Sequence, residues 1–236
     1  MRFPFASTIN NDFLLGCCTT SGTPLFGDII IAGKSILCQC DTLTVVGELQ
    51  VALPTAGDLN ALTGGPPVAA RIFNDTVYLG PYLGALYTPD DRFFTQGFLQ
   101  FDTPANSNRV AVASNPDGSL ANVGHIRDVS FLYADIGMGY WVYRNPDAAE
   151  LLGVTAIMEL HYNRALNSTS SLPVSSEYVI GSVLTDIDML NTVIGGSLHF
   201  RPNLVLSLGY VTPIGNSVDQ MFTGEVRAFI NYYFGR

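Results

Sequence analysis

Charged residues are scarce in this chain, and long apolar runs are absent. Asp, Glu, Lys and Arg make up 13% of its 236 residues, about half the share that is usual in globular domains. Apolar residues make up 47%, yet no apolar run reaches the roughly 18 residues that suggest a membrane-spanning helix. So few charges make a soluble surface difficult to build. The mean hydropathy of +0.27 therefore comes from apolar residues that are spread along the chain.

Basic residues are the scarcer charged class, and they exclude one kind of partner. Lys and Arg number 11 against 20 Asp and Glu, which gives a net charge of −9. Because nucleic-acid-binding surfaces need clustered Lys and Arg, we expect no nucleic-acid partner.

The cysteines and histidines are too few and too scattered to suggest a metal centre. The four cysteines form two close pairs, Cys17/Cys18 and Cys38/Cys40, and no His lies near either pair at metal-ligand spacing. We therefore expect no metal site and no cofactor. A disulfide between the two pairs and free thiols are both compatible with the sequence.

Apolar and polar residues alternate with period two along nine segments. This pattern predicts β-strands with one apolar and one polar face. The clearest example is Leu43–Pro54, where Leu and Val residues alternate with Thr44, Glu48 and Gln50. The nine segments are Phe26–Gln39, Leu43–Pro54, Thr76–Thr88, Arg92–Asp102, Arg127–Tyr143, Glu150–Asn163, Asp186–Phe200, Asn203–Thr212 and Phe222–Phe234.

The connections between these segments alternate between short turns and longer polar loops. The predicted loops are Thr55–Asn74, Thr103–Ile126, Arg164–Thr185 and Pro213–Gln220. Outer-membrane barrels show the same asymmetry, with short periplasmic turns and long extracellular loops. The predicted strands also reach the roughly 9–11 residues that a tilted strand needs to cross a bilayer. The sequence therefore predicts an all-β, antiparallel, up-and-down transmembrane β-barrel.

The number of strands and the beginning of the chain leave alternatives open. Bacterial single-chain barrels usually have an even number of strands, and Phe3–Leu15 could supply a tenth. Met1–Asp12 does not resemble a secretory signal, since it has an early Pro and no apolar core. Either the barrel prediction is wrong, or the chain is a mature or N-terminally incomplete form, which we favour. We predict residues 1–25 as an N-terminal segment and 26–236 as a barrel of about ten strands, or as a truncated twelve-stranded barrel.

The polar faces of the predicted strands would line the interior of such a barrel. One interpretation is a polar conduit or a small binding cavity with an acidic bias. The alternative is that acids and bases pair across strands and fill a barrel that is just wide enough for its own side chains. For Lys34 and Arg227 we favour pairing with inward carboxylates. The predicted lumen-facing residues are Lys34, Glu48, Gln96, Gln100, Asp135, Glu159, His161, Glu225 and Arg227.

Aromatic residues near the strand ends have two interpretations. In a membrane barrel they would form girdles at the headgroup level, and in a soluble barrel they would be core. They are Tyr87, Phe93, Phe101, Tyr140, Tyr162, Phe200, Tyr210, Tyr232 and Phe234.

No arrangement of residues points clearly to catalysis. An enzyme of this class would need a nucleophile beside a base. Ser197 and His199 lie two apart on one strand face, as do Glu159 and His161, but no Gly-x-Ser-x-Gly elbow occurs. We predict no catalytic residue and no enzyme activity, with an outer-membrane lipid-modifying enzyme as the less favoured alternative.

Three stretches, Phe26–Lys34, Leu49–Gly57 and Arg92–Asp102, resemble a family of outer-membrane barrels. These are the meta-pathway phenol-degradation proteins and their planctomycete-type relatives. The tail also looks like the C-terminal strand signal that the barrel-assembly machinery reads, with Ile230, Tyr232 and Phe234 as the signal residues. Gly235 and Arg236 follow the final aromatic, so that match is imperfect.

The resemblance implies an outer-membrane location in a Gram-negative-type envelope and passage of small hydrophobic or aromatic compounds. Together with the loop asymmetry, it predicts a porin-like channel for small solutes. Outer-membrane lipids and the barrel-assembly machinery would be its partners. The alternative is a non-conducting structural barrel whose long loops bind other molecules.

Overall fold

The computed structural model describes residues 5–6, 25–62, 69–113, 119–173, 179–181, 187–201, 203–215 and 222–234. Throughout these ranges the chain is all-β and antiparallel, without a helix. In the same ranges, no helix is long and apolar enough to cross a membrane. The strands are β1 (Phe5–Ala6), β2 (Leu25–Phe26), β3 (Ile29–Gln39), β4 (Leu43–Leu53), β5 (Leu59–Leu62), β6 (Ala69–Ile72), β7 (Tyr78–Tyr87), β8 (Phe93–Pro104), β9 (Asn108–Ala113), β10 (Leu120–Ile126), β11 (Phe131–Arg144), β12 (Leu151–Ala165), β13 (Leu172–Pro173), β14 (Val179–Ile180), β15 (Asp188–Phe200), β16 (Leu204–Pro213) and β17 (Glu225–Tyr232).

Nine long strands form the main sheet, in the order β17-β16-β15-β12-β11-β8-β7-β4-β3. Neighbours in the sheet are neighbours among the long strands of the chain, so the sheet is an antiparallel meander. The nine strands that the alternation predicts are confirmed, although their ends differ by a few residues. The last strand, for example, is β17 rather than the whole of Phe222–Phe234.

The predicted tenth strand is not part of the main sheet in the described residues. β1 instead pairs with β2 in a separate two-stranded sheet, with Phe5 opposite Phe26 and Ala6 opposite Leu25. The other residues of Phe3–Leu15 lie outside the described residues.

The two edges of the main sheet, β3 and β17, run in the same direction. Both begin at the end of the sheet that holds the long connections and end at the short turns. This follows because the nine neighbouring strands alternate in direction, so the first and the last are parallel. They are not hydrogen-bonded to each other in the described residues, so the main sheet is not closed there.

Two connections predicted as loops contain a second sheet, which we call the small sheet. Thr55–Asn74 contributes β5 and β6, and Thr103–Ile126 contributes β9 and β10, in the order β10-β9-β6-β5. The prediction that these segments are loops is therefore wrong. The physical reason is a separate hydrophobic core, made by Ala70, Val110, Val112 and Ile126, with Leu172 from a third connection packed against it.

A buried amide ties the small sheet to the main sheet. The Asn108 Oδ1 atom accepts hydrogen bonds from the backbone N–H groups of Asp75 and Thr76 and from the Thr76 hydroxyl. The Asn108 amide nitrogen donates to Asp128 at 2.8 Å. Because Asn108 begins β9 and Thr76 lies two residues before β7, this network fixes the place where the long connections leave the main sheet.

The main sheet has one face that exposes large apolar side chains along its whole width, which we call the apolar face. Every one of the nine strands contributes to it, and the nine representative side chains are between 45% and 68% exposed. A continuous apolar surface of this extent is unusual for a soluble monomer. The nine are Ile31, Leu49, Leu83, Leu99, Ile136, Met158, Ile194, Leu208 and Val226.

Candidate functional site

All nine residues predicted from the sequence to face a lumen lie on the opposite face of the main sheet, which we call the polar face. Residues directly opposite each other on paired strands share a face. One such row runs Lys34, Glu48, Tyr82, Gln100, Tyr133 and Asn163. A second row runs from Glu159 through Val193 and Val211 to Glu225. The structure thus brings together residues that are up to about 190 positions apart in the chain.

One cavity of the polar face extends across several strands. It has a volume of about 510 Å³ and is lined by residues from six adjacent strands, β3 to β12.

Three cavities follow one another along the polar face. The first is the cavity of about 510 Å³, near the long connections. It shares Tyr82, Phe98 and Asp135 with a second cavity of about 380 Å³. The second shares Leu86 and Gln96 with a third cavity of about 760 Å³ at the short turns. We call this series the conduit, since it extends from one end of the main sheet to the other.

The expected pairing of Lys34 with a carboxylate is present. Its Nζ atom lies 3.0 Å from the Glu48 carboxylate on the neighbouring strand. The same ammonium lies 4.9 Å from the centre of the Tyr82 ring, which stacks on Phe98 at 5.1 Å. The Lys34 charge is thereby held against one wall of the first cavity.

Asp102 is held by neutral donors. Its Oδ1 atom accepts hydrogen bonds from the side-chain amides of Gln50 at 3.2 Å and Gln100 at 2.8 Å. The amides satisfy the carboxylate without neutralising its charge. Gly80 lies beneath this group, and a side chain there would collide with Gln50 and Asp102.

His161 lies between two carboxylates at the junction of the first and second cavities. Its Nδ1 atom is 2.5 Å from Asp135 Oδ2, and its Nε2 atom is 3.1 Å from Glu159 Oε2. Carboxylates only accept hydrogen bonds, so an imidazolium that donates from both nitrogens satisfies this geometry completely. Asp135 and His161 are register partners, whereas Glu159 and His161 are two apart on one strand.

Glu225 and Arg227 pair with each other on β17. The guanidinium Nη2 atom lies 3.0 Å from Glu225 Oε2, and both side chains are close to half exposed. Arg227 also lines a fourth cavity, of about 310 Å³, that includes Glu159 and His161. The last strand thus adds a compensated charge pair to the polar face.

Aromatic rings cover part of the polar face at the short turns. Phe94 lies over Gly139, and Trp141 lies over Gly153, so that a side chain at either glycine would collide with a ring. The His199 ring packs on Trp141 at 4.6 Å between centroids. Phe94 and Trp141 also line the third cavity, so their rings reduce the open space beside it.

The two residue pairs considered for catalysis are arranged differently from a nucleophile and its base. The Ser197 hydroxyl is hydrogen-bonded to the Ser207 hydroxyl at 2.7 Å, and the His199 ring packs on Trp141. Both nitrogens of His161 face carboxylates.

Cys38 and Cys40 lie beside each other as free, exposed thiols, with 3.8 Å between their sulfur atoms. Cys17 and Cys18 lie outside the described residues, so the two alternatives, a disulfide between the pairs and free thiols, both stay open. Within the described ranges, no group of three or more His, Cys, Asp and Glu residues is arranged to hold a metal ion.

Two Asp–Arg pairs flank one aromatic ring of the small sheet. The Phe73 ring lies between the guanidinium groups of Arg71 and Arg109, at 4.8 Å and 4.5 Å. The backbone N–H of Asn74 and the Arg71 guanidinium hold the pKa of Asp58 below its usual value. The hydrogen bond from Arg109 likewise lowers the pKa of Asp75.

The predicted assembly-signal residues lie at the end of the last strand. Ile230 and Tyr232 belong to β17 and are exposed on the apolar face, and Phe234 follows the strand. The Tyr232 and Phe234 rings make an edge-on contact at 4.9 Å.

Sequence reasoning missed the aromatic side chains of the polar face. The alternation could have identified them, because each occupies the same alternate positions as the polar residues of its strand. They are Tyr82, Phe94, Phe98, Tyr133 and Trp141. An aromatic side chain fits either face of such a sheet, so residue type alone does not assign it to one face.

No protein-family model matches this chain, and no curated protein sequence matches it. The resemblance to the phenol-degradation family therefore stays a prediction from the three stretches that suggest it.

Proposed function

We propose that the chain is an outer-membrane β-barrel that conducts small solutes. The observation that carries this proposal is the division of the main sheet into two faces. All nine strands place large apolar side chains on the apolar face, and the polar face holds the charged and amide groups. A transmembrane barrel needs this arrangement, because lipid contacts its outer face and water or polar side chains occupy its interior.

The aromatic residues at the strand ends support a membrane position. On the apolar face, Tyr87, Tyr140 and Tyr232 lie near the short turns. All three are between 43% and 49% exposed. Tyr residues at this end of the sheet would form one interfacial girdle of a barrel, where a ring with a polar tip is stable at headgroup depth.

The contiguous cavities support conduction in preference to a filled interior. Gly84 and Gly137 line the second cavity, where the Tyr82 ring and the Glu159 side chain lie over them. The charged residues Lys34 and Arg227 are held against the wall by Glu48 and Glu225. The space between them is available to a small solute.

To close the barrel, the two edge strands β3 and β17 must be joined, either directly or through further strands. Since β3 and β17 run in the same direction, they can pair directly only as parallel strands. A closing segment that pairs antiparallel with both must contribute an odd number of strands. One such strand would give the predicted total of ten, and three would give twelve.

Liposome swelling tests conduction, after heat-modifiable migration in detergent gels has confirmed a folded barrel. We expect liposomes that contain the protein to swell in small sugars or small aromatic solutes. Gly137→Trp should slow swelling, because Gly137 lines the second cavity. Gly33→Trp is the matched control, since Gly33 lies on the apolar face with no atom near its missing side chain. Equal swelling by the two variants would contradict the position of the conduit.

A second candidate function is a non-conducting barrel that presents a binding surface. The observation that favours it is the small sheet, which has its own hydrophobic core and therefore a fixed surface. A protein that shows heat-modifiable migration but remains closed to sugars and ions would support this second function and contradict the first.

A further inference from the structure

The charged residues that line the conduit are strongly unbalanced. Seven carboxylates line its three cavities, against two permanent cations, Lys34 and Arg144. The imbalance extends along the whole series, since every one of the three cavities contributes carboxylates. The seven are Asp41, Glu48, Asp90, Asp91, Asp102, Asp135 and Glu159.

The available cations neutralise only part of this charge. Lys34 pairs with Glu48 at 3.0 Å, and Arg144 lies 3.5 Å from Asp91. The single imidazole of His161 is shared between two carboxylates, so even a charged His161 leaves that group with a net negative charge. The fourth cavity adds Arg227, whose guanidinium is paired with Glu225.

Two of the remaining carboxylates are held by neutral donors. Asp102 accepts from the amides of Gln50 and Gln100. Asp90 accepts from the backbone N–H groups of Arg92 and Phe93. These donors fix both carboxylates in place without adding a compensating positive charge.

We infer that the conduit selects small cations, inorganic ions and amines alike, over anions of the same size. Rings of carboxylates set cation selectivity in narrow pores, because an anion that enters must approach uncompensated negative charge in a region of low dielectric. Here the carboxylates lie at both ends and at the middle junction, so an anion meets them wherever it enters. This inference rests on the proposed conduction.

Reversal potentials in planar bilayers under a potassium chloride gradient test the inference. At about 0.1 M salt, where charges act over about 10 Å, potassium should pass at least about threefold more readily than chloride. The preference should fall towards one at about 1 M salt, where the screening length is about 3 Å.

A double variant, Asp41→Asn with Asp102→Asn, tests which residues are responsible. It removes one carboxylate at each end of the conduit and keeps the shapes of the side chains. We expect it to lower the potassium-to-chloride ratio by about half or more at low salt, without abolishing conductance. Asp147→Asn is the control, since Asp147 is an exposed turn carboxylate outside all three cavities, and its ratio should equal that of the unchanged protein.

The possible results separate the inference from the function on which it rests. Absence of conductance in a protein that migrates as a folded barrel would overturn the proposed conduction, and the inference with it. Conductance with a ratio of one or below at low salt would overturn the cation preference alone. A cation preference that the double variant leaves unchanged would overturn its assignment to these carboxylates.

Discussion

The Nδ1 atom of His161 lies 2.5 Å from the Oδ2 atom of Asp135, its register partner on the neighbouring strand. The two side chains are mostly buried, at 29% and 18% exposure. They join the two strands at the junction of the first and second cavities, where Glu159 contacts the other side of the same ring. This pair is the most enclosed charged contact of the polar face.

Removal of the Asp135 charge should therefore destabilise the protein. We expect Asp135→Asn to lower the free energy of unfolding by about 1–3 kcal/mol, since a hydrogen bond to a charged group is lost in a partly buried place. Urea titration of the protein folded in lipid would measure the change. Asp41→Asn, at an exposed turn, should change it by less than about 0.5 kcal/mol, and equal effects at the two positions would contradict the importance of the pair.

Replacing an apolar-face residue by arginine tests whether lipid or water covers that face. Ile194 is 63% exposed in the middle of β15, and Val179 is 65% exposed in one of the long connections. If lipid covers the apolar face, Ile194→Arg should cost about 2–4 kcal/mol. Val179→Arg should cost less than about 0.5 kcal/mol, as at an ordinary surface position. The free energy of unfolding measures both, and two small values would indicate a solvated apolar face.

The small sheet should loosen in acid. The folded state lowers the pKa values of Asp58 and Asp75. Their contribution to stability is therefore fully present above the usual carboxylate pKa of 3.8 and is lost as the pH falls through the lower, folded values. Hydrogen exchange should report unchanged protection of β5, β6, β9 and β10 from neutral pH down to about pH 5, and a loss below about pH 4.

Asp75→Asn provides the control for this pH dependence. The variant no longer has one of the two titrating carboxylates, so it should be less protected at neutral pH and lose less protection in acid. If the variant and the unchanged protein lose the same amount, the Asp75–Arg109 pair is not the source of the acid sensitivity.

If the chain lies in an outer membrane, as proposed, labelling of the Cys38 and Cys40 thiols tests which end of the main sheet faces the cell surface. Both are exposed near the first short turn. In a variant with Cys17→Ser and Cys18→Ser, a membrane-impermeant maleimide should label them only after the outer membrane is permeabilised, because short turns face the periplasm. A cysteine introduced by Ser168→Cys, in a long connection, should be labelled in intact cells. The opposite pattern would reverse the orientation.

Much of the main sheet could be predicted from the sequence, because successive side chains of a strand alternate between its two faces. Glu225 and Arg227 lie two apart on one strand, so the sequence alone places them on the same face. Asp135 and His161 are different, since their contact depends on the register between two strands. Register is set by packing across strands and by bulges such as that between Trp141 and Tyr143, which no local pattern reveals.

The small sheet was missed for a related reason. Val110 and Val112 alternate as a strand should, but Asn, Ser, Pro and Gly residues surround them and suggest a loop. Their burial depends on Ala70 and Ile126, which come from other parts of the chain. Short strands whose partners are distant give a local signal that is too weak to identify them.

Cysteine scanning along β12 tests most directly whether lipid covers the apolar face of the main sheet and water reaches the polar face. Each residue from Ala156 to Tyr162 would be replaced singly by cysteine, in a variant without other cysteines, and labelled with a fluorophore after reconstitution in lipid. We predict that odd-numbered positions react with a water-soluble thiol reagent and that even-numbered positions are quenched by brominated lipid. Equal reaction with water-soluble reagent at odd and even positions would contradict a membrane-spanning sheet around a polar conduit.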